Sequence, residues 1–527
     1  MVLTTARSML ATLCCLALLP ACGSLATHSA TATRLTGVVV LDGPLAGARI
    51  RVVDAQGAQR NTIADAQGRY TLSAEGLQPP LMLLAVEAGN DNCSDSSRLW
   101  ARCLGGLLAE LQPGQPNVAN VNALSDRVVS SVASALKLAG PQALLDKPST
   151  AGITAGMISQ HTDNARPAVL QALRDAGVPA AEAFDPVRTP MQTDGKGVDA
   201  VLRVLVHNRG YDNNSGEPGG VMILDADYRY VGNEEPLDLA YAQAALARAK
   251  DPAYTRVLIV GDSTASTYER FRLPRMGWGQ VFEAQFKPEA RVKVLNNAKS
   301  GRSSRNFYNQ RYFLQMAQYL RPGDYVIIHH GHNDQNCDAA KPLRGAADVE
   351  NLCTYPNDSQ GRRQYPEGKP EMSFQNSLEV YVQAARARGA IPIIMTPTTR
   401  LWNKERKPGF PVVSNHFTYA GQGSGGYAFV GDYSQTVRDT ARAKDVPLID
   451  IEAATIAFAN AHQDDWKNYW LAADPARWPW YATQSAGTLS RPDTTHFQEA
   501  GARAVADMVA SGIKAQPALR TLAEKLR

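Results

Sequence analysis

A chain of 527 residues is long enough for two to four domains, each burying its own core. Its composition, 44% hydrophobic and 20% charged, is that of ordinary globular protein, with no low-complexity block long enough to force disorder. A net charge of +4 is too small for this length to argue for nucleic-acid binding, and no basic run carries interleaved aromatics, so no nucleic-acid partner is expected. A monomer is expected.

The first element is a leader. Arg7 precedes the apolar stretch Met9–Leu19, too short to span a bilayer as a helix and of the right length for a signal-peptide core. It ends in Leu19-Pro20-Ala21-Cys22-Gly23, which resembles a bacterial lipobox with an unusual Pro20; the alternative is an ordinary cleaved signal beside a chance cysteine. The resemblance implies removal of residues 1–21, lipidation of Cys22 and attachment to a membrane through acyl chains. Because no Asp follows Cys22, it also implies, in a two-membrane bacterium, outer-membrane sorting, on the periplasmic or the cell-surface face. Of seven cysteines, Cys14 and Cys15 leave with the leader. The last four form two local pairs, Cys93–Cys103 and Cys337–Cys353, each bracketing a polar loop; two short-range disulfides of an oxidising compartment suit this spacing, free thiols being the alternative.

Residues 34–112 read as a β-sandwich. Leu35–Leu41 is a strand, Ala48–Val53 alternates apolar with polar, and Asp65–Leu72 places a Gly turn before a strand. The series resembles the transthyretin-like (carboxypeptidase regulatory-like) module, which implies a spacer or adhesion role, with carbohydrate binding as the alternative. Residues 117–250 then read as a mainly helical accessory segment: helical spacing over Ser125–Leu138 and Ala165–Ala176, a strand at Val221–Leu224, and a helix over Leu237–Lys250. No chemistry attaches to it.

The remainder, 254–527, carries the chemistry. The apolar run Val257–Val260 ending in Gly261-Asp262-Ser263 reads as a buried parallel strand delivering a hydroxyl at its carboxyl end, although Asp262 or Ser263 acting merely as a helix cap accounts for the triplet equally well. Three further strand-then-polar-turn blocks follow: Asn297 to Ser304 after Val292–Leu295, Gly331-His332-Asn333-Asp334 after Tyr325–His330, and Thr396-Pro397 after Ala390–Met395. Asp493-Thr494-Thr495-His496 then precedes a helix over Gln498–Ser511. Repeated units of this kind predict an α/β/α three-layer sandwich on a parallel sheet, with the reactive residues at one edge.

A serine hydroxyl needs a base within hydrogen-bond reach. His496 can take and return that proton, Asp493 can hold the imidazole tautomer, and the backbone N–H groups of Ser263 and Gly301 with the Asn333 amide can hold an oxyanion. Over residues 256–513 these blocks resemble the SGNH (GDSL) hydrolase superfamily, and "N-A-x-S-G-R-S-S-R-N-F" with Gly277-Trp278-Gly279 is similar to its rhamnogalacturonan acetylesterases. The resemblance implies an exported serine esterase acting on an acetylated pectic polysaccharide or oligosaccharide through an acyl-enzyme, with no cofactor. The alternatives are another acetylated glycan such as xylan, a lipid or aryl ester, or a non-catalytic adhesin; intact Ser263, Asn333 and His496 speak against the last. Arg302, Arg305, Arg400 and Trp278 are the candidates for substrate binding, and Lys404, Arg406 and Lys407 extend the basic set. His329, His330 and His332 invite a metal reading, but adjacent strand-end histidines point to opposite faces, so no metal is expected.

Overall fold

The structure, a computed structural model, describes residues 32–89, 103–138, 144, 149–210, 220–335, 337, 352–401, 411–418 and 431–527. The leader with Cys22, Cys93 of the first cysteine pair, and Lys404, Arg406 and Lys407 lie outside the described residues.

Among the described residues seven strands come first: β1 (Arg34–Val38), β2 (Arg49–Val53), β3 (Gln59–Ile63), β4 (Arg69–Ser73), β5 (Leu81–Val86), β6 (Cys103–Leu108) and β7 (Pro116–Val118). Period two is visible in β4, where Tyr70 and Leu72 are buried while Arg69, Thr71 and Ser73 face outward. The strands form two sheets, ordered β4-β1-β7 and β3-β2-β5-β6, and Leu35, Ile50, Val52, Leu72 and Leu83 from both share one core. Asp65 makes the turn before β4 by accepting from the backbone N–H groups of Gln67 and Arg69, both at 2.9 Å. β7 lies beyond residue 112, where the alternation runs out; at three residues beginning with proline it has no period to read, yet it pairs parallel with β1.

The accessory segment is less helical than expected. Helices run over Ala123–Ala135, capped by Asn122, and Ala155–Ala165. The helix expected over 165–176 is broken by a 3-10 turn at Arg166–Ala168 and resumes only at Leu170–Asp175, because Pro167 has no N–H to continue the ladder. β8 (Leu205–Gly210) and β9 (Gly220–Asp225) form an antiparallel pair, tied to the first helix by His207 Nε2 at 2.7 Å from Asp126 Oδ2. A helix over Leu239–Lys250, capped by Asp238, leads into the C-terminal half.

There the strands are β10 (Thr255–Gly261), β11 (Arg275–Met276), β12 (Val292–Asn296), β13 (Tyr325–His329), β14 (Ile391–Met395), β15 (Phe417–Thr418), β16 (Gly431–Asp432), β17 (Leu448–Ile449) and β18 (Phe497–Gln498). Five make one sheet, ordered β12-β10-β13-β14-β17, with every pairing parallel. Val257, Ile259, Ile327 and Ile393 pack on one face against Val505, Val509 and Ile513 of the helix Glu499–Ala515. Leu258, Val260, Val326, Ile328 and Ile394 pack on the other against Phe307, Phe313, Tyr381 and Val437. Burial on both faces explains the unbroken apolar runs and gives the three layers expected. The strand order reverses at β10, with β12 on one side and β13 on the other. In such sheets the crevice for a ligand opens at that reversal, beyond the carboxyl ends of the strands.

Candidate active site

Ser263 lies two residues past β10, at this reversal. Asp262 shapes the turn: its fully buried carboxylate accepts from Thr264 N at 3.0 Å and Thr264 Oγ1 at 2.9 Å, and from the His332 N–H of the third block. Burial raises its pKa to about 6 against these hydrogen bonds. Tyr268 closes the turn from below by donating its hydroxyl to Ser263 O at 2.7 Å.

His496 Nε2 stands 2.8 Å from Ser263 Oγ, and its Nδ1 stands 2.6 Å from Asp493 Oδ2. The Asp-x-x-His turn makes this possible locally: Asp493 Oδ1 accepts from Thr495 N at 2.8 Å and His496 N at 3.1 Å, leaving Oδ2 for the imidazole. Burial alone would push the Asp493 carboxyl up, but the His496 contact and two backbone N–H groups hold it well below the ordinary carboxylate range. Burial and the nearby Arg275 cation push His496 below its ordinary value, with Asp493 opposing them. The result is a neutral imidazole aimed at a hydroxyl, with its other nitrogen committed to an anion.

The second and third blocks come alongside through the sheet. Asn297 N donates to Ile259 O and Lys299 N to Gly261 O, both at 3.0 Å, which brings Gly301 to the nucleophile turn. Gly301 has φ +73, a left-handed backbone that favours glycine, so the conformation itself accounts for this residue. Gly261 pairs with His329 across β10 and β13, placing the Asn333 turn at the same edge.

The expected opposition of the strand-end histidines is visible. His329 accepts from Trp278 Nε1 at 3.1 Å on one face, while His330 packs between Phe307 and Tyr381 on the other. His332 joins a buried chain that sequence reading missed. Glu452, held down to about 2 against burial by His416 and Ser414, is an acceptor only. Its Oε1 is 3.2 Å from His416 Nδ1, His416 Nε2 is 3.4 Å from His332 Nδ1, and His332 Nε2 is 3.1 Å from Thr398 Oγ1. An anion at one end fixes the tautomers along the chain, so that Nδ1 carries the proton in both histidines and the Thr398 hydroxyl donates at the far end. The chain braces the turn that carries Asn333 from behind. His416 and Glu452 are 36 residues apart, one in a loop and the other in the first turn of the helix Ile451–Ala461, so no local motif announces them.

The substrate-binding candidates fare unevenly. Trp278 is fully buried against His329 and Phe282 and has no face for a sugar. Arg302, 4% exposed, donates to Gln310 Oε1 and Ser300 O, and so braces the second block. Arg305 is buried with Nε on Ser377 Oγ. Arg400 is half-buried and clamps the third block through Gln335 Oε1 at 2.5 Å and His332 O at 3.1 Å. Among the tryptophans before the Asp/His block, Trp470 is core, whereas Trp480 is half-buried beside Phe271 and Arg272. Cys337 and Cys353 form a disulfide just beyond the third block.

Residues 259–504 match the GDSL-like Lipase/Acylhydrolase family. Rhamnogalacturonan acetylesterase RhgT of Bacillus subtilis is 30% identical over 260 residues, covering 49% of this chain and 89% of that protein. The probable rhamnogalacturonan acetylesterase YesY of the same organism is 27% identical over 259 residues, covering 49% and 92%, and the uncharacterized esterase YxiM is 23% identical over 301 residues, covering 56% and 62%. With a serine, a neutral histidine and a carboxylate joined in one chain at the sheet edge, the protein belongs to the GDSL-like lipase/acylhydrolase family and is a serine esterase.

Proposed function

We propose that this esterase removes O-acetyl groups from rhamnogalacturonan-like pectic polysaccharide through an acyl-enzyme on Ser263. Ser263 Oγ attacks the acetyl carbonyl carbon while His496 Nε2 takes its proton, and Asp493 stabilises the imidazolium. The Ser263 and Gly301 N–H groups and the Asn333 amide hold the oxyanion; its collapse expels the sugar alkoxide, which recovers the proton from His496. Water then repeats the sequence and releases acetate. The observation that carries this reading is the unbroken Asp493–His496–Ser263 hydrogen-bonded chain. The substrate class is supported by the names of the two relatives that this chain covers over most of their length.

We further propose an exported, lipid-anchored protein. The leader, Cys22 and a disulfide at Cys337–Cys353 support it. Among the described residues no helix is long and apolar enough to cross a membrane, so the anchor in this reading is the acylated cysteine.

The test is acetate release from acetylated rhamnogalacturonan, homogalacturonan and xylan side by side, with longer-chain phenyl esters as controls. Rhamnogalacturonan should be the fastest. Preference for xylan or for long acyl chains overturns the substrate assignment, and near wild-type turnover by Ser263→Ala overturns the mechanism.

A further inference from the structure

Several arginines at the catalytic edge are already engaged. Arg302, Arg305 and Arg400 brace loops, and Arg270 and Arg272 reach Glu235 and Glu269. Arg275 differs. It pairs with no carboxylate among the described residues, and its Nε is buried without a hydrogen bond. The side chain is half-buried, with the guanidinium carbon 4.5 Å from the centre of the Tyr268 ring. Tyr268 is the residue whose hydroxyl holds Ser263 O, and that hydroxyl also adjoins Ser300, next to Gly301. On its other side Arg275 pairs across β11 and β18 with Gln498, two residues beyond His496. It therefore stands where the nucleophile turn, the second block and the base converge.

The guanidinium also makes a side-chain hydrogen bond to Tyr268, but seated on that ring it keeps its charge and spends it on no carboxylate among the described residues. A planar fork of this kind matches a carboxylate from outside the protein. We propose that Arg275, held on Tyr268 beside Ser263 and His496, is the subsite that reads a substrate carboxylate, so that the enzyme removes acetyl groups carried by or adjoining a uronic acid. The inference rests on the pectic reading above and narrows it to the charged sugar. It also explains how the site recognises an acid when Arg302 and Arg305 are buried.

The test compares acetylated galacturonate oligomers with the same oligomers after methyl esterification, which removes the charge and little else. Wild type should prefer the acid form by about 10- to 100-fold in kcat/KM, the worth of a charge-assisted bidentate contact. Arg275→Gln should bring that ratio close to one whatever the absolute rates, and Arg275→Lys, keeping charge without the fork, should retain part of it. Titration of the deacetylated acid and methyl-ester oligomers into Ser263→Ala protein, with and without Arg275→Gln, reads the same ratio without turnover. Where Arg275→Gln does not fold, the Lys variant decides: an undiminished ratio overturns the proposal. A wild type active on both forms with no preference also overturns it. A wild type inactive on both forms but active on acetylated xylan overturns the pectic reading, and this inference with it.

Discussion

In the proposed mechanism Ser263 becomes a nucleophile only while His496 is neutral and stands 2.8 Å from its hydroxyl. Ser263→Ala and His496→Ala should each lower kcat on an aryl acetate by about 10³-fold or more, read from initial rates. Asn333→Ala should cost about 10²- to 10³-fold, because it removes a donor from a developing charge while leaving nucleophile and base in place. The pH profile follows from the groups that face His496. Burial and the cations Arg275 and Arg400 lower its pKa, and the Asp493 carboxylate opposes them, for a net position below 6.5. The base works when deprotonated, so kcat/KM should hold down to below pH 6.5 and fall only as pH drops through the lowered pKa. An acid limb centred above pH 6.5 would contradict this assignment. The members of the Asp493–His496–Ser263 hydrogen-bonded chain were legible in the sequence because each travels in a short motif at a strand end or turn. Trp278, Arg302 and Arg305 were misread because chemical type is local whereas exposure is not.

At the scale of elements, the site depends on how closely backbone segments approach. Gly279, one residue into the short helix Trp278–Val281, lies against the turn that follows Ser263. A β-carbon there would stand 2.6 Å from Ala265 O and 2.7 Å from Asn296 Nδ2, too close for either to remain where it is. Gly279→Ala should therefore cost roughly 1–3 kcal/mol of stability, as overpacking does, and also lower kcat by moving the nucleophile turn; unchanged melting and unchanged rate together would refute the packing argument. The Gly277-Trp278-Gly279 signature thus reports packing behind the nucleophile, with Trp278 as its filling rather than a sugar platform. The accessory helices show the reverse problem. Apolar spacing over 165–176 looked continuous, but Pro167 breaks it, since spacing says nothing of a missing donor.

For the whole molecule, the accessory segment is part of the hydrolase core rather than a tether. Leu224 and Tyr228 share a core with Leu258, Val260 and Leu295, and Asp227 pairs with the buried Lys293 at 2.5 Å. A fragment of residues 254–527 should lose roughly 3–6 kcal/mol for those two side chains alone, seen as a lower Tm or as insolubility; a fragment melting with the full chain would show that the contact contributes nothing. The buried imidazoles make the fold acid-sensitive. Burial drives His329 and His330 down to about 3 and His416 to about 4, so the native state refuses protons that the unfolded chain accepts. That stability is fully present above pH 6.5 and is lost as pH falls toward about 4 for His416 and about 3 for His329 and His330, by up to about 1.4 kcal/mol per pH unit for each histidine; denaturant melts across this range measure it. By itself, the sequence determined the parallel three-layer architecture and singled out Ser263, Asp493 and His496, which the fold joins in one hydrogen-bonded chain, because burial on two faces writes continuous apolar strands and these residues sit in short motifs. The tertiary structure alone decided which arginines are spent inside the protein, that Arg275 lies over Tyr268 with no carboxylate partner among the described residues, and that Glu452 and His416 reach His332, beside Asn333. Those facts depend on which distant side chains share a neighbourhood and what solvent reaches them, and neither is encoded at any spacing along the chain.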